Sequence, residues 1–175
     1  MLPSFETPRL LLRPRSMADF EACLAMDRDP DVTRYIRGPW DDPEEHRCFL
    51  TDRIQTAWPS GLGYWSIFAK VRPDEFLGWI LLIPYEGIGP EIDIGWRLRQ
   101  VAWGKGYAGE AARPVVEHAF KTVGLTRLVA DIDPRNTPSM RVAEKIGMTF
   151  VGDNAYSDGH PCKSYVTTAE SFRGS

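Results

Sequence analysis

The stretch "WGKGYAG" (Trp103 to Gly109) has the composition of a phosphate-binding loop. Glycine lets backbone N–H groups approach an anion closely, and a helix N-terminus adds roughly half a positive charge. Residues 104 to 109 also fit G-x-G-x-x-G, the fingerprint of dinucleotide-binding folds. In such a fold, Asp131 or Asp133 would bind the ribose. A glycine-rich strand–helix turn without any ligand is the plain structural alternative.

The residues around the loop disfavour a dinucleotide site. A buried parallel strand should run directly into the first glycine, but "EIDIGWRL" ends at Leu98 and five residues, "RQVAW", intervene. That strand also alternates polar and apolar residues, whereas a central parallel strand is nearly continuously apolar. After Asp131, 44 residues remain, which is too short for the rest of a doubly wound sheet. No G-K-[ST] follows the loop, so a nucleoside-triphosphate loop is excluded.

Carboxylates on the strand before the loop are suited to proton transfer. Because strand side chains alternate, Glu91, Asp93 and Arg97 share one face of "EIDIGWRL" and the apolar residues share the other. An alkyl ammonium with a pKa of ~10.4 is almost fully protonated at neutral pH, so an amine nucleophile needs a base. A positioned base contributes on the order of 10²–10⁴-fold. The acidic face also favours a cationic acceptor, although both carboxylates fit an ordinary solvated strand face equally well.

The elements that must position these residues follow a mixed α/β order. The pattern predicts one strand, two helices, an antiparallel meander of three strands, and then alternating strands and helices. The predicted elements are the strand "RLLLR", helices beginning near Ser16 and Pro43, strands Tyr64 to Val71, Phe76 to Pro84 and Glu91 to Leu98, a helix ending at Gly124, a strand from Arg127 to Asp133, a helix from Pro138 to Gly147, and the strands "MTFVG" and "CKSYVTT". The hairpin turn is predicted at Arg72, Pro73 and Asp74.

Length and composition indicate a single globular domain spanning residues 1–175. Hydrophobic residues make up 43% and charged residues 26% of the chain. A net charge of −3 argues against a nucleic-acid partner. The cysteines and histidines show neither a disulfide framework nor metal-ligand spacing. With no apolar run of membrane length and no signal region, we expect a reduced, cytoplasmic setting with no metal and no membrane partner.

A second motif makes the loop specific. "NTPSMRVAEKIGMTF" (Asn136 to Phe150) is similar to N-x-x-S-x-x-x-x-E-K-x-G-F, which the GNAT superfamily of acyl-CoA-dependent N-acetyltransferases carries after its phosphate loop, [Q/R]-x-x-G-x-[G/A]. Trp103 to Ala108 match that loop. "ETPRLLLRP", "DPDVTRYI" and "EIDIGWRL" resemble the branch that includes the RimJ and RimL ribosomal-protein N-terminal acetyltransferases. The resemblance covers roughly residues 6 to 168.

The resemblance implies a GNAT-like fold, a mostly antiparallel mixed sheet flanked by helices on both faces. It implies that acetyl-CoA is a co-substrate, that no metal takes part, and that the acetyl group passes directly to a primary amine in a ternary complex. The amine belongs to a protein N-terminus or to a small molecule. The identity of the acceptor and the assembly state, a homodimer included, remain open.

Site residues are also implied by the resemblance. The pantetheine arm pairs with the backbone of Trp96 and Leu98, and Ser139 hydrogen-bonds the leaving thiolate. Asp93 stands at the place of the family's strand glutamate, with Glu91 as the alternative base. Tyr35 and Trp40 line the amine pocket, or pack a lid. The other coenzyme contacts fall on Trp103, Gly104, Lys105, Gly106, Tyr107, Ala108 and Asn136.

Two residues depart from the family pattern. Trp103 stands where the wider family has glutamine or arginine, a change common in the RimL-like branch. Ala143 stands where many members have a tyrosine that protonates the thiolate, so that proton must come from elsewhere or from water. Two other functions stay open: a module that binds acyl-CoA without turnover, which would keep the loop but lose the carboxylates, and an NAD-dependent dehydrogenase, which would bind NAD rather than coenzyme A.

Overall fold

The computed structural model describes residues 1–173, and a mixed eight-stranded sheet forms the centre of this part of the chain. The strands are β1 Phe5–Glu6, β2 Leu10–Pro14, β3 Gly63–Ala69, β4 Arg72–Pro84, β5 Ile92–Leu98, β6 Arg127–Ile132, β7 Thr149–Ala155 and β8 Pro161–Thr168. Their order in the sheet is β1-β2-β3-β4-β5-β6-β8-β7. Strands β5 and β6 pair in parallel, and the other neighbours pair antiparallel. The expected mostly antiparallel mixed sheet is confirmed, and a doubly wound dinucleotide fold is excluded.

Helices with well-defined starts connect the strands. They are α1 Phe20–Asp27, α2 Pro30–Thr33, α3 Pro43–Gln55, α4 Tyr107–His118, α5 Thr137–Lys145 and α6 Ala169–Arg173. Ser16 and Asp19 form a capping box on a 3₁₀ turn that leads into α1. The Asp42 carboxylate accepts from two N–H groups of the first turn of α3, and the Asn136 side chain caps α5 in the same way. The polar residues at these starts therefore fix where each helix begins.

Each face of the sheet has its own hydrophobic core. On β3, Trp65 and Ile67 point into the core that α4 and α5 cover, while Tyr64 and Phe68 point into the core under α1 and α3. The period-two alternation of a strand requires this division. Burying one such side chain stabilises the fold by roughly 1.5–3 kcal/mol. Helices on both faces, as the family resemblance implies, are confirmed.

The sequence did not predict the short elements β1, α2 and α6, and two element boundaries also differ from the sequence expectation. Residues 72 to 74 lie within β4, because β3 already turns at residues 70 and 71 and Ala69 pairs with Arg72. The predicted turn residues are therefore the first residues of a long strand. The apolar stripe that ends with Ile54 and Trp58 predicts a helix as far as Pro59. Helix α3 instead ends at Gln55, since the backbone of Thr56 is no longer helical, and Trp58 packs from the following loop. Apolar periodicity alone could not locate that end.

The parallel pair of β5 and β6 leaves a gap in the sheet. In the described chain its register contains one pair, Asp93 with Val129, and beyond it the two strands do not pair. The edge of β5 that faces β6 is therefore open along Ile94 to Leu98. Ligands of α/β sheets bind outside the carboxyl ends of parallel strands, where the next helices begin. Because α4 follows β5 and α5 follows β6, both helices start on the side of this gap.

Candidate active site

The glycine loop adopts a backbone that favours glycine at two positions. Gly104 and Gly106 have φ angles of 71° and 78°, in the left-handed region, and Gly106 is the N-cap of α4. A Cβ atom on Gly104 would meet no atom within 4 Å, so the space above the loop is open. The Trp103 indole Nε1 donates to the Leu98 carbonyl at 2.8 Å. The loop is thus braced against the end of β5 and presents open backbone at the start of a helix.

A cation from the other end of the chain lies beside this loop. The Arg9 guanidinium pairs with the Glu110 carboxylate at 2.6 Å and lies over the Tyr107 ring, 4.6 Å from its centroid. Desolvation opposes ionisation of Glu110, but hydrogen bonds from Thr7 and Arg9 hold its pKa below the ordinary value. Sequence reasoning missed Arg9, because its position depends on a contact across 101 residues of chain. The exposed Lys105 is the second cation at the loop.

A cavity of about 240 Å³ lies on the α1–α3 face of the sheet, where the side chains of Asp93 and Arg97 emerge from β5. Its apolar wall is built from Ile36, Trp40, Phe49, Leu50, Tyr64, Trp79, Leu81 and Ile83. Its polar lining is formed by Arg15, Asp27, Arg37, Arg53, Tyr85, Glu86, Asp93, Arg97, Asp131 and Tyr156. The cavity therefore combines a large apolar surface with charges of both signs.

Of the two carboxylates predicted as candidates for the base, Asp93 and Glu91, only Asp93 lines this cavity. It is partly buried at the residue where β5 and β6 part, and it accepts no hydrogen bond from the residues that the structure describes. Burial, and then the nearby Asp131 carboxylate, raise the pKa of Asp93 to about 8. Glu91 is instead directed to Arg127, at 3.3 Å, with 47% of its side chain exposed, and it is absent from the cavity lining.

Asp131 and two tyrosines, which sequence reasoning did not assign to the site, line the same cavity as Asp93. The Asp131 carboxylate accepts from the Tyr85 hydroxyl at 2.5 Å and from Ser164 Oγ at 2.6 Å. The Tyr156 hydroxyl donates to the backbone carbonyl of Asp131 at 3.0 Å. Burial raises the pKa values of both tyrosines, so their phenols stay protonated at neutral pH. The sequence indicates Asp131 only as the acid that would bind the ribose in a dinucleotide-binding fold.

A buried ion pair between a residue of β5 and a residue of α1 lines the cavity. Arg97 Nη1 lies 2.7 Å from Asp27 Oδ1, and the two side chains are 9% and 3% exposed. Asp27 Oδ2 lies 3.3 Å from His46 Nε2. The Arg97 guanidinium is also close to two rings, 5.1 Å from Trp40 and 4.8 Å from Trp79. The ion pair therefore links β5 to α1, and its guanidinium contacts the Trp40 ring in the cavity lining.

The two predicted pocket aromatics separate in the structure. Trp40 lines the cavity, with its indole Nε1 donating to the Ile36 carbonyl at 2.8 Å. Tyr35 is outside the lining and lies under the Arg135 guanidinium, at 5.4 Å. The structure therefore brings Trp40, but not Tyr35, to the cavity.

The second motif forms the start of α5. Asn136 Oδ1 accepts from the Ser139 N–H at 3.3 Å, so this asparagine has a structural role as a helix cap. Ser139 is partly buried in the first helical turn and does not line the cavity. Ala143 is fully buried in the core, where the family's tyrosine hydroxyl is missing. Trp96 and Leu98, on β5, face the core of α4 with their side chains, and their backbone lies along the open edge of β5.

Residues 1–173 contain no group of three or more histidine, cysteine, aspartate or glutamate side chains that could hold a metal ion. Within the same range, no helix is both long and apolar enough to cross a membrane.

The split sheet, with a glycine loop at the start of the helix that follows, defines an acetyltransferase fold, and comparison with known proteins names the family. Residues 9–149 match the family model described as the acetyltransferase (GNAT) domain. The chain belongs to the GNAT acetyltransferase family.

Several relatives and one solved structure share most of the chain. The uncharacterized N-acetyltransferase YnaD of Bacillus subtilis is 32% identical over 83% of this chain and 82% of its own. The FsC-acetyl coenzyme A-N(2)-transacetylase of Aspergillus fumigatus is 30% identical over 85% of this chain and 66% of its own. The crystal structure of an acetyltransferase from Agrobacterium tumefaciens is 32% identical and superimposes with a TM-score of 0.80 over 95% of both chains.

Proposed function

We propose that the chain transfers an acetyl group from acetyl-CoA to a primary amine by direct attack in a ternary complex. The observation that carries the proposal is the position of Asp93. This carboxylate, whose pKa is raised to about 8, lies in the cavity at the residue where β5 and β6 separate. The glycine loop lies beyond the other end of the same strand. A carboxylate and a glycine loop therefore lie at the two ends of one open strand edge, which supports their assignment as the base and the phosphate-binding loop.

The open edge of β5 suits the pantetheine arm. Extended amide groups pair with an unpaired strand edge by main-chain hydrogen bonds, and Ile94 to Leu98 offer such an edge. The pyrophosphate would be held by the N–H groups between Gly104 and Ala108, with Arg9 and Lys105 beside them. In this arrangement the thioester lies next to the cavity that contains Asp93.

The reaction then needs a small number of groups. Asp93 accepts the proton of the ammonium, directly or through a water, and the amine nitrogen forms a bond to the thioester carbonyl carbon. The carbon–sulfur bond breaks and the thiolate leaves with its electron pair. As the amide forms, the nitrogen loses its second proton, which passes through water to the thiolate and gives the free thiol of coenzyme A. We propose that the Ser139 hydroxyl donates a hydrogen bond to that thiolate, and that the backbone N–H groups along β5 polarise the carbonyl.

Replacing Gly106 with valine should raise the KM for acetyl-CoA by about tenfold or more, which corresponds to ~1.4 kcal/mol. A β-branched residue is strained at a φ of 78°, and its side chain would lie beside Arg9 and over the loop amides. Initial-rate kinetics with varied acetyl-CoA measures the effect. Gly124→Val is the matched control, because Gly124 has a φ of 79° after the π-helical turn, Ala119–Val123, that follows α4, and its Cβ would meet no atom within 4 Å. An equal rise in KM in both variants would remove the loop from coenzyme binding.

Replacing Ser139 with alanine should lower kcat and leave the affinity for acetyl-CoA nearly unchanged. This is the signature of an interaction that forms mainly in the transition state. Thr137→Ala is the control, because Thr137 carries an exposed hydroxyl in the same helical turn. Single-turnover kinetics, in which chemistry limits the rate, is the measurement. An unaltered rate in Ser139→Ala would exclude this residue from the mechanism.

The proposed function is tested by release of free thiol from acetyl-CoA in the presence of a panel of amines, with the acetylated product identified by mass spectrometry. Thermal-shift measurements with coenzyme A and with NAD separate this proposal from a dehydrogenase. Coenzyme A should raise the melting temperature of the protein, and NAD should not. Stabilisation by coenzyme A without thiol release for any amine would favour the acyl-CoA-binding module.

We also propose three finer assignments. The segments "ETPRLLLRP" and "EIDIGWRL" support a place in the RimJ/RimL-like branch. Residues 1–175 act as a single catalytic domain, supported by one continuous sheet. The free cysteines Cys23, Cys48 and Cys162 support a reduced, cytoplasmic setting.

A further inference from the structure

Among the charges that line the cavity, Arg97 is paired with Asp27 and Arg37 with Asp158. The remaining arginines and the Asp93 and Asp131 carboxylates lie toward different ends. Arg15 and Arg53 lie at the end near β2 and α3, where both also line a second cavity of about 180 Å³. Asp93 and Asp131 lie at the opposite end, on the parallel pair of β5 and β6. The guanidinium groups without a carboxylate partner in the part of the chain that the structure describes therefore lie at one end, and at the carboxylate end the charge of Arg37 is neutralised by Asp158.

At the basic end, Arg15 has no carboxylate partner among the described residues. Its guanidinium lies 3.6 Å from the centroid of Tyr64 and 5.9 Å from that of Trp79, and its Nη2 donates one long hydrogen bond, of 3.4 Å, to the Arg53 carbonyl. Its Nε is buried without a partner in the described chain. Desolvation by burial lowers the pKa of Arg15.

The nearby carboxylate of Asp27 does not neutralise Arg15, because it is bound to Arg97 and His46. Arg53 also lacks a carboxylate partner in residues 1–173, and its guanidinium lies over Phe49 and Trp58. Burying an unpaired charge is unfavourable unless a partner compensates it. An anionic group on a bound molecule would supply that compensation.

The separation of the two ends suits a small molecule. The Arg15 N–H donates to the Tyr64 carbonyl, and Tyr64 pairs with Leu81, which pairs with Gly95. Across the sheet, Arg15 is thus three inter-strand spacings from Gly95 of β5, and Gly95 is two residues after Asp93. At 4.8 Å per strand and 3.3 Å per residue, the two Cα atoms are roughly 16 Å apart. Both side chains reach inward from there, and Trp40, Trp79 and Leu81 form the apolar wall between them.

From this arrangement we infer that the acceptor is a small amine that also carries a carboxylate, of the kind found in an apolar amino acid. Its amine lies at Asp93, its carboxylate at Arg15, and its apolar part against Trp40 and Trp79. The inference rests on the proposed function for the role of the amine, but the recognition of the carboxylate does not depend on catalysis. The strand carboxylates alone indicate a cationic acceptor. The inference adds a carboxylate to that acceptor, which makes it a zwitterion.

Calorimetric titration of the ligand-free protein tests the inference. L-leucine and L-phenylalanine are each compared with their carboxamides, which keep the amine and the side chain but lose the negative charge. Hydrogen bonds to charged groups contribute about 1.5–3 kcal/mol, so each acid should bind at least about tenfold more tightly than its amide. Arg15→Met should abolish this preference. Arg113→Met, which removes an exposed arginine of α4, should keep it.

The outcomes separate the two proposals. Equal binding of acids and amides by the wild-type protein, or an unchanged preference in a folded Arg15→Met variant, overturns the inference. Arg53→Met serves in place of Arg15→Met if that variant does not fold, and it should at least reduce the preference. Acetyl transfer from acetyl-CoA to the same compounds is measured separately. A preference for the acids without any acetyl transfer would contradict the proposed function and support the carboxylate site.

Discussion

Asp93→Asn should lower kcat/KM at pH 7 by roughly 10²-fold, a typical contribution of a general base. Asparagine keeps the shape of the side chain but cannot accept the proton of the ammonium. Near pH 10 much of the deficit should disappear, because an alkyl amine with a pKa of ~10.4 is then partly neutral before it binds. The measurement is kcat/KM for the amine across this pH range.

The pH dependence follows from the environment of Asp93. Burial and the neighbouring Asp131 raise its pKa to about 8, so the basic carboxylate form accumulates as the pH rises toward and past that value. In the wild-type enzyme, kcat/KM should therefore rise along a limb centred near pH 8. In Asp93→Asn this limb should move toward the pKa of the amine itself. A limb that stays near pH 8 in the variant would assign the titration to another group.

Two controls accompany this experiment. Glu91→Gln should change the rate little, because Glu91 pairs with Arg127 outside the cavity. If Glu91→Gln lost activity and Asp93→Asn kept it, Glu91 would be the base.

The second control is the thermal stability of the Asp93→Asn variant. The folded-state pKa of Asp93 exceeds its ordinary value of 3.8, so this group's contribution to stability is present below about pH 4 and is lost as the pH rises through 8. Asp93→Asn should thus melt at a higher temperature than the wild type at pH 8.

Asp27→Asn should reduce the free energy of unfolding by about 3–5 kcal/mol, the usual effect of removing one member of a buried ion pair. The change leaves the Arg97 charge with 9% of its side chain exposed and no opposing carboxylate at 2.7 Å. Trp40, which packs against the same guanidinium, should lose its fixed position in the cavity. Urea denaturation at constant pH measures the loss, and the slope of the transition should stay unchanged.

A control on the same helix distinguishes burial from charge. Glu21→Gln removes an ion pair with Arg47 whose side chains are 72% and 50% exposed, and it should change stability by less than about 1 kcal/mol. The double variant Asp27→Leu with Arg97→Met should recover much of the loss, because it removes both buried charges together. A loss in Asp27→Asn no larger than in Glu21→Gln would show that the buried pair does not stabilise the fold.

The fold could be predicted from the sequence largely because its local signals agree. Alternation in "EIDIGWRL" separated a core face from a polar face, and the structure has Ile94 in the core and Asp93 in the cavity. Glycines 104 and 106 indicated the start of α4, which depends on their positive φ angles. The errors lie where local signals are weak. Proline at position 73 suggested a turn, but it lies in β4 near the end of the hairpin, where Ala69 pairs with Arg72.

The site was less predictable because it is built from distant segments. Asp93 could be found, since its strand pattern and the family resemblance agree. Asp131 lies in β6, and the other lining residues follow different strands: Arg15 follows β2, Tyr85 follows β4 and Tyr156 follows β7. Their meeting depends on the sheet order β2-β3-β4-β5-β6-β8-β7. No spacing in the sequence encodes that order. Glu91 shares the pleat of Asp93 but lies just before β5 begins, where it meets Arg127.

A crystal structure of the protein with coenzyme A is the most direct test of the proposed coenzyme site. The central claim is that the gap between β5 and β6 connects the glycine loop to the Asp93 cavity. We expect the pyrophosphate on the N–H groups of residues 104 to 108, the pantetheine arm along residues 94 to 98, and the sulfur at the mouth of the cavity. Coenzyme A bound at another surface, or with its sulfur directed away from Asp93, would contradict the claim.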